Sequence, residues 1–287
     1  MSDGCAATSA RARLALAVVF ALLVTACSTI KLGYESLPTL VLWQADSYLA
    51  LDDDQEAALK RHANTLLRWH RQDQLPVYAG LLSRVENEMR SEVTVDQVTG
   101  WRKSILAAWT PLADRLAPAV AEIAIGLRTE QIDHLRRALA KANDKAARDF
   151  RSPDPVKRVD ARVKRWTERA EGFLGDLNAE QQRLVRATAQ AASADDGAWW
   201  QQRLARQRSV VDLLAALSAE RPPVEVAAER VRPLLASLFQ PVAGTADGGV
   251  GDRLTAQLIA AATPEQLKRA IARVDGYRQD VVVLARR

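Results

Sequence analysis

Two cysteines, Cys5 and Cys27, and three histidines, His62, His70 and His134, are all that 287 residues contain of either type. A thiolate zinc site needs more cysteine than that. His62 and His70 are eight apart and lack the i, i+4 spacing with which one helix offers two ligands to zinc. His62 falls between Leu59 and Leu66 on an apolar stripe, the place of a core histidine rather than a ligand, so no metal and no cofactor is implied. Glycine is scarce, with four of only 13 lying between Gly244 and Gly251. The chain has no Gly-x-Ser-x-Gly elbow, no Walker loop and no dinucleotide fingerprint. Nor does any run alternate apolar and polar residues with the β-branched and aromatic enrichment that marks strands. Long apolar runs are missing too: Leu14 to Ala26 spans 13 residues, against about 20 for a membrane-crossing helix.

That short run has another use. Arg11 and Arg13 precede it and Ala26-Cys27 ends it, which is the order of an export signal: basic start, apolar middle, small residues at the cleavage site. Val24-Thr25-Ala26-Cys27 resembles the lipobox of bacterial lipoproteins. The resemblance implies cleavage before Cys27, lipidation of its sulfur, and, with Ser28 rather than Asp next, sorting to the outer membrane. Two or three acyl chains anchor stably where one is marginal, because each buried CH₂ adds about 0.8 kcal/mol. Cys5 leaves with the signal, so Cys27 has no disulfide partner in the mature chain, and lipid accounts for it. The expected organisation is a signal at 1–26, a lipidated tether at 27–40 and a body at 41–287 with its body in the periplasm.

The body reads as helix. Ala58, Leu59, His62, Leu66 and Trp69 share one face; so do Val159, Val163, Trp166, Ala170 and Phe173, and further on Leu267, Ile271, Val274 and Val281. The expected fold is all-α, a multi-helix bundle of roughly eight to ten helices. Breaks fall at Ser152-Pro153-Asp154-Pro155, where the body could subdivide, at Glu220-Arg221-Pro222-Pro223, and in a loop over 240–252. Thr110-Pro111 reads as a cap and restart inside the segment from Val95 to Ile125. A five-residue pattern recurs at Leu51–Gln55, Val93–Gln97, Leu127–Gln131, Leu177–Gln181 and Ala262–Gln266: an aliphatic residue, then a capping residue, then an acid followed by Gln. Asp52, Thr94, Asn178 and Thr263 complete capping boxes with their glutamines, and the acids suit the positive end of the helix dipole. Arg128 departs from the pattern, and Thr129 offers a cap one residue later. Asp52-Asp53-Asp54 is read the same way, as cap and dipole partner, because it lacks the glycine and the distal Glu of a calcium loop.

These boxes resemble the Leu-Thr-x-x-Gln motif of Spy-type periplasmic chaperones, a likeness that implies client binding without enzymatic chemistry. A broader set of residues, Lys31-Leu32-Gly33-Tyr34, Leu42-Trp43, Asp46, Tyr48, Leu51-Asp52, Gln55, Trp69-His70-Arg71, Leu75-Pro76 and Tyr78, is similar to an uncharacterised family of proteobacterial lipoproteins. That likeness implies a lipid anchor and a helical fold, and assigns no site.

Loss of Arg11, Arg13 and Asp3 with the signal lowers the formal charge from +5 to +4. Nucleic acid is excluded by compartment, which leaves anionic lipid, lipopolysaccharide, peptidoglycan or an envelope protein as partners within reach of a basic body. Between Arg136 and Arg169, 12 Lys or Arg face five Asp or Glu. Arg158, Arg162, Arg165 and Arg169 recur along one helical stripe, either a solvated face or a dock for a polyanion. Seven tryptophans exceed the four Phe and four Tyr, and Trp199-Trp200 cannot both lie on one face. The expectation is a lipid-anchored envelope protein with a structural or binding module, not an enzyme. A Spy-like client binder and an envelope hydrolase with facing carboxylates are the alternatives.

Overall fold

The computed structural model describes residues 33–193, 196–238 and 247–287. The expected signal, Cys27 and the first part of the tether lie outside them, as do residues 240–246 of the expected loop. The described residues are helical with no strand: α1 (Leu37–Leu49), α2 (Asp53–Trp69), α3 (Leu75–Glu88), α4 (Val95–Ala107), α5 (Trp109–Ile125), α6 (Thr129–Phe150), α7 (Pro155–Leu174), α8 (Ala179–Ala192), α9 (Asp196–Glu220), α10 (Val224–Ser237), α11 (Asp247–Ala260) and α12 (Pro264–Ala285). The all-α expectation is met. Three local expectations are corrected. Residues 33–35 and 37–40, read as tether, are already helical, because Pro38 is fit for a first turn and Tyr34 has a buried seat. The glycines of 248–251 belong to α11, since Asp252, Leu254, Ala256 and Leu258 all find buried places on that helix. The restart near Thr110 occurs, but α5 begins at Trp109 with Ala108 before it and Thr110 already inside.

Helix starts follow the boxes. Asp52, Thr94, Asn178 and Thr263 each accept the backbone N–H of their glutamine, and each glutamine accepts the N–H of its cap. At the fifth start Thr129 is the first helical residue and caps nothing. Arg128 stands at the cap position, and Gln131 Oε1 still accepts its N–H at 3.0 Å. The Arg128 guanidinium instead pairs with Asp52 Oδ2 at 2.5 Å, joining two helix starts.

The boxes do more than cap, because four of the five glutamines meet in pairs. Gln131 Nε2 donates to Gln55 Oε1 at 2.7 Å and to the Ala50 carbonyl at 2.9 Å; Gln55 Nε2 donates back to Gln131 and to the Gly126 carbonyl at 2.9 Å. Each amide thus satisfies the end of the helix before its partner's, where carbonyls would otherwise lack donors. Gln181 and Gln266 repeat the arrangement between α8 and α12. The box at Thr94 stands alone.

Packing crosses the break at 152–155. Trp101 and Val98 of α4 share a core with Leu174, Val185, Leu258 and Val274 from beyond it. A second core sets Ala113, Ala117, Ala121 and Ala124 of α5 against Ala227, Ala228 and Val231 of α10, small side chains that let two helices approach closely. A third gathers Ala58, Leu127, Ile132, Leu135 and Val211. The fourth ties the ends of the described chain together through Tyr34, Leu75 and Leu284.

Candidate functional site

Three of the four predicted arginines line one cavity. Helical spacing places Arg162, Arg165 and Arg169 on the face of α7 beside Trp166, Ala170 and Phe173, and together they wall a space of about 790 Å³. The opposite walls are apolar, from Val85 and Met89 of α3 and its end, Trp101 of α4, Leu254 and Leu258 of α11, and Val274 of α12. Arg162 and Arg165 are half-buried, while Arg169 is exposed and makes no hydrogen bond or ion pair with the described residues. Arg162 also donates to the Ala189 carbonyl at 3.2 Å, fixing α7 against α8. The fourth arginine goes elsewhere: Arg158 Nη1 donates to the Ser152 carbonyl at 2.7 Å, holding the turn between α6 and α7. The stripe legible in the sequence therefore divides into one residue that fixes a turn and three that face a cavity.

The tryptophans divide in the same way. Trp101 is buried and donates its indole N–H to Glu88 Oε2 at 2.5 Å, and Trp200 is buried with the Arg151 guanidinium 5.3 Å from its ring. Trp199, its neighbour, lines the cavity beside the arginines.

A second cavity, about 650 Å³ and almost wholly apolar, lies under α1. Leu37, Val41, Ala45 and Leu49 supply one wall at i, i+4 spacing, with Leu66, Leu116 and Val120 opposite. His62 reaches it half-buried, and its Nε2 shares a hydrogen bond with Glu122 Oε2 at 2.7 Å. His134 Nε2 meets the Ser47 carbonyl at 3.2 Å. The described lining residues of the first cavity include no carboxylate and those of the second only Asp114, so neither presents the facing acid pair a hydrolase reading asks for.

Beside the second cavity the chain gathers a cluster that periodicity did not show. After Trp69 the helix widens to a π turn over His70–Gln74, where the Leu75 N–H reaches back five residues to the His70 carbonyl. Pro76 lacks an N–H and its ring excludes the carbonyl four residues earlier, which favours the wider turn. The turn sets His70 between Tyr34 and Tyr78, with its Nδ1 2.9 Å from Tyr34 Oη, and Arg71 over the Tyr34 ring at 5.4 Å. Burial holds the imidazole below its ordinary range and pushes the Tyr78 phenol up. Burial likewise raises Tyr34, which Arg71 partly offsets. Arg71 Nε and Gln74 Oε1 are buried without a partner among the described residues. Tyr34, Trp69-His70-Arg71, Leu75-Pro76 and Tyr78 all carried the lipoprotein resemblance, and here they meet.

Against known proteins, a family model described as a family of unknown function matches residues 47–231. That span contains α2 to α9 with all four arginines and most of the π-turn cluster. No curated protein and no solved structure matches the chain.

Proposed function

The chain belongs to that family, DUF6279, which carries no activity to transfer, and we propose that it is a lipid-anchored binding protein of the bacterial envelope. Its site is the cavity under α7, and its ligand is an amphipathic anion, with an apolar chain inside and an acidic group on Arg162, Arg165 and Arg169. The carrying observation is that three arginines line a cavity of about 790 Å³ whose other walls are mainly aromatic and aliphatic, within the roughly 300–1,000 Å³ of small-molecule sites. Arginine suits the acidic group because its planar fork donates two bonds at once to carboxylate or phosphate. The anchor rests on Cys27 and the signal before it, and places the site where fatty acids, lysophospholipids and lipopolysaccharide fragments occur.

Displacement of the fluorescent anion 1-anilinonaphthalene-8-sulfonate tests the site. Palmitate or lysophosphatidylglycerol displaces it at concentrations at least tenfold below those of an uncharged monoacylglycerol of equal chain length. Arg165→Glu with Arg169→Glu erases that preference, a tenfold loss corresponding to about 1.4 kcal/mol. Equal displacement by charged and uncharged lipids sinks the reading. The anchor has its own test: a clickable fatty acid labels the wild-type protein and leaves Cys27→Ser unlabelled.

A further inference from the structure

The helix that follows the proposed lipid anchor, α1, is apolar in Leu-Pro-Thr-Leu-Val-Leu-Trp-Gln-Ala-Asp-Ser-Tyr-Leu, yet none of its residues is fully buried. Trp43 is 65% exposed, Leu40 51%, Val41 44% and Leu37 37%. These four cover one broad arc of the helix, because 37, 40, 41 and 43 lie within about half a turn of each other at 100° per residue. Leu37 and Val41 also line the second cavity, so the exposed apolar surface continues inward. Surface helices normally turn such an arc to the core. Here it faces out.

We infer that α1 lies on the membrane surface and lays the body against the bilayer. The occupant is argued from chain length. Tyr34 is buried, so the body is pinned at that point. Cys27 is seven residues earlier, and an extended chain gains at most about 3.6 Å per residue. On the anchoring reading, which this inference rests on, the body therefore cannot stand more than about 25 Å from the acylated sulfur. A bilayer is within reach of α1 at all times, which makes its binding an intramolecular event at high effective concentration. The side chains suit an interface: Trp with an apolar body and one polar N–H at the headgroup level, flanked by Leu and Val that enter the acyl boundary. The helix does not cross; no described helix is long and apolar enough for that.

The experiment uses the mature, lipidated protein in vesicles of phosphatidylethanolamine and phosphatidylglycerol with bromine on the acyl chains. Bromolipid quenches tryptophan fluorescence only where the ring enters the bilayer. Wild-type protein is quenched, and Trp43→Phe loses at least half of that quenching although six tryptophans remain. Leu40→Glu, which keeps Trp43 and replaces an exposed side chain, lowers the quenching as well. The inference is overturned if vesicle-bound wild type is not quenched, or if Trp43→Phe is quenched as strongly as wild type. Fatty-acid labelling of the same preparation separates the two readings: an unlabelled Cys27 ends the anchoring reading, while quenching at Trp43 still decides where α1 lies.

Discussion

Gln181 and Gln266 exchange hydrogen bonds through their side-chain amides, Gln181 Nε2 to Gln266 Oε1 at 3.2 Å and Gln266 Nε2 to Gln181 Oε1 at 3.0 Å. Each also gives its second N–H to the end of a helix, Gln181 to the Leu258 carbonyl at 3.1 Å and Gln266 to the Asp176 carbonyl at 2.8 Å. Each oxygen still accepts the N–H of its own cap residue. Two helix starts and two helix ends are thus closed by one pair of amides, and the same device joins Gln55 to Gln131.

Because Gln181 is fully buried, Gln181→Ala leaves several polar groups without partners, each costing about 1–3 kcal/mol. The expected loss is about 3 kcal/mol in urea unfolding. A double-mutant cycle with Gln266→Ala should show a coupling of about 1 kcal/mol or more. Gln97, whose box at Thr94 has no amide partner, is the control: Gln97→Ala should cost about 1 kcal/mol or less. Equal losses at Gln97 and Gln181 would falsify the pairing as a source of stability.

Asn178→Ala and Thr263→Ala each remove a cap worth about 1 kcal/mol. Asn178 additionally donates from Nδ2 to the Ala261 carbonyl at 2.9 Å, tying α8 to the end of α11. Its replacement should therefore lower stability more than that of Thr263, by roughly 1 kcal/mol. Thermal melts of the two variants side by side check the order.

Helices, their starts and the breaks at 152–155 and 220–223 were legible in the sequence, since caps, prolines and 3.6-residue stripes are local signals. The pairing of the boxes was not, because spacings of 76 residues for Gln55 and Gln131 and 85 for Gln181 and Gln266 carry no periodicity. Arg162, Arg165 and Arg169 could be placed on one face, but the cavity beside them is made by residues of α3, α4, α11 and α12, far away in the chain. The π turn was missed for a different reason. His62 and His70 read as one continuous helix, and only the geometry around Pro76 reveals that the helix widens from His70 onward.

Gly175 ends α7 with φ +78° and ψ −162°, a region that residues with a Cβ almost never occupy. An added Cβ would also lie 2.8 Å from Arg269 Nη1, a contact the flexible arginine can relieve. The backbone cost remains, so Gly175→Ala should destabilise the protein by about 2 kcal/mol. Ala50, at φ +48° after α1, calls for the opposite change. Ala50→Gly should stabilise by up to about 1 kcal/mol, because the left-handed position then carries no Cβ strain.

Asp252, 4% exposed, receives Arg102 Nε and Nη2, each at 2.9 Å, and the Thr99 hydroxyl at 2.8 Å. Burial alone would raise its carboxyl, but the bonds from Arg102 and Thr99 outweigh that and hold it below the usual carboxylate range. A depressed folded-state value means the stabilisation is complete above the unfolded value near 3.9 and is lost as pH falls toward the folded one. Asp252→Ala leaves Arg102 without its partner and should cost about 3 kcal/mol at pH 7. The wild-type advantage should shrink in urea titrations below about pH 4.

His70 should give the opposite end of the acid range. Burial lowers its folded-state value, and Nδ1 shares a hydrogen bond with the Tyr34 hydroxyl at 2.9 Å. Protonation is then favoured in the unfolded chain, whose histidine titrates near 6.5, so stability is intact above that pH and falls as pH drops from about 6.5 toward the folded value. His70→Gln removes the titration, and its stability should be flat across that window where wild type declines. Tyr34→Phe is the companion: it keeps the ring under Arg71, orphans Nδ1, and should cost about 1 kcal/mol at pH 8. Its loss should persist as an offset rather than a change of slope until His70 protonates. A wild-type stability that is level between pH 7 and 5, measured by urea denaturation, overturns the assignment of a neutral His70 to the folded state.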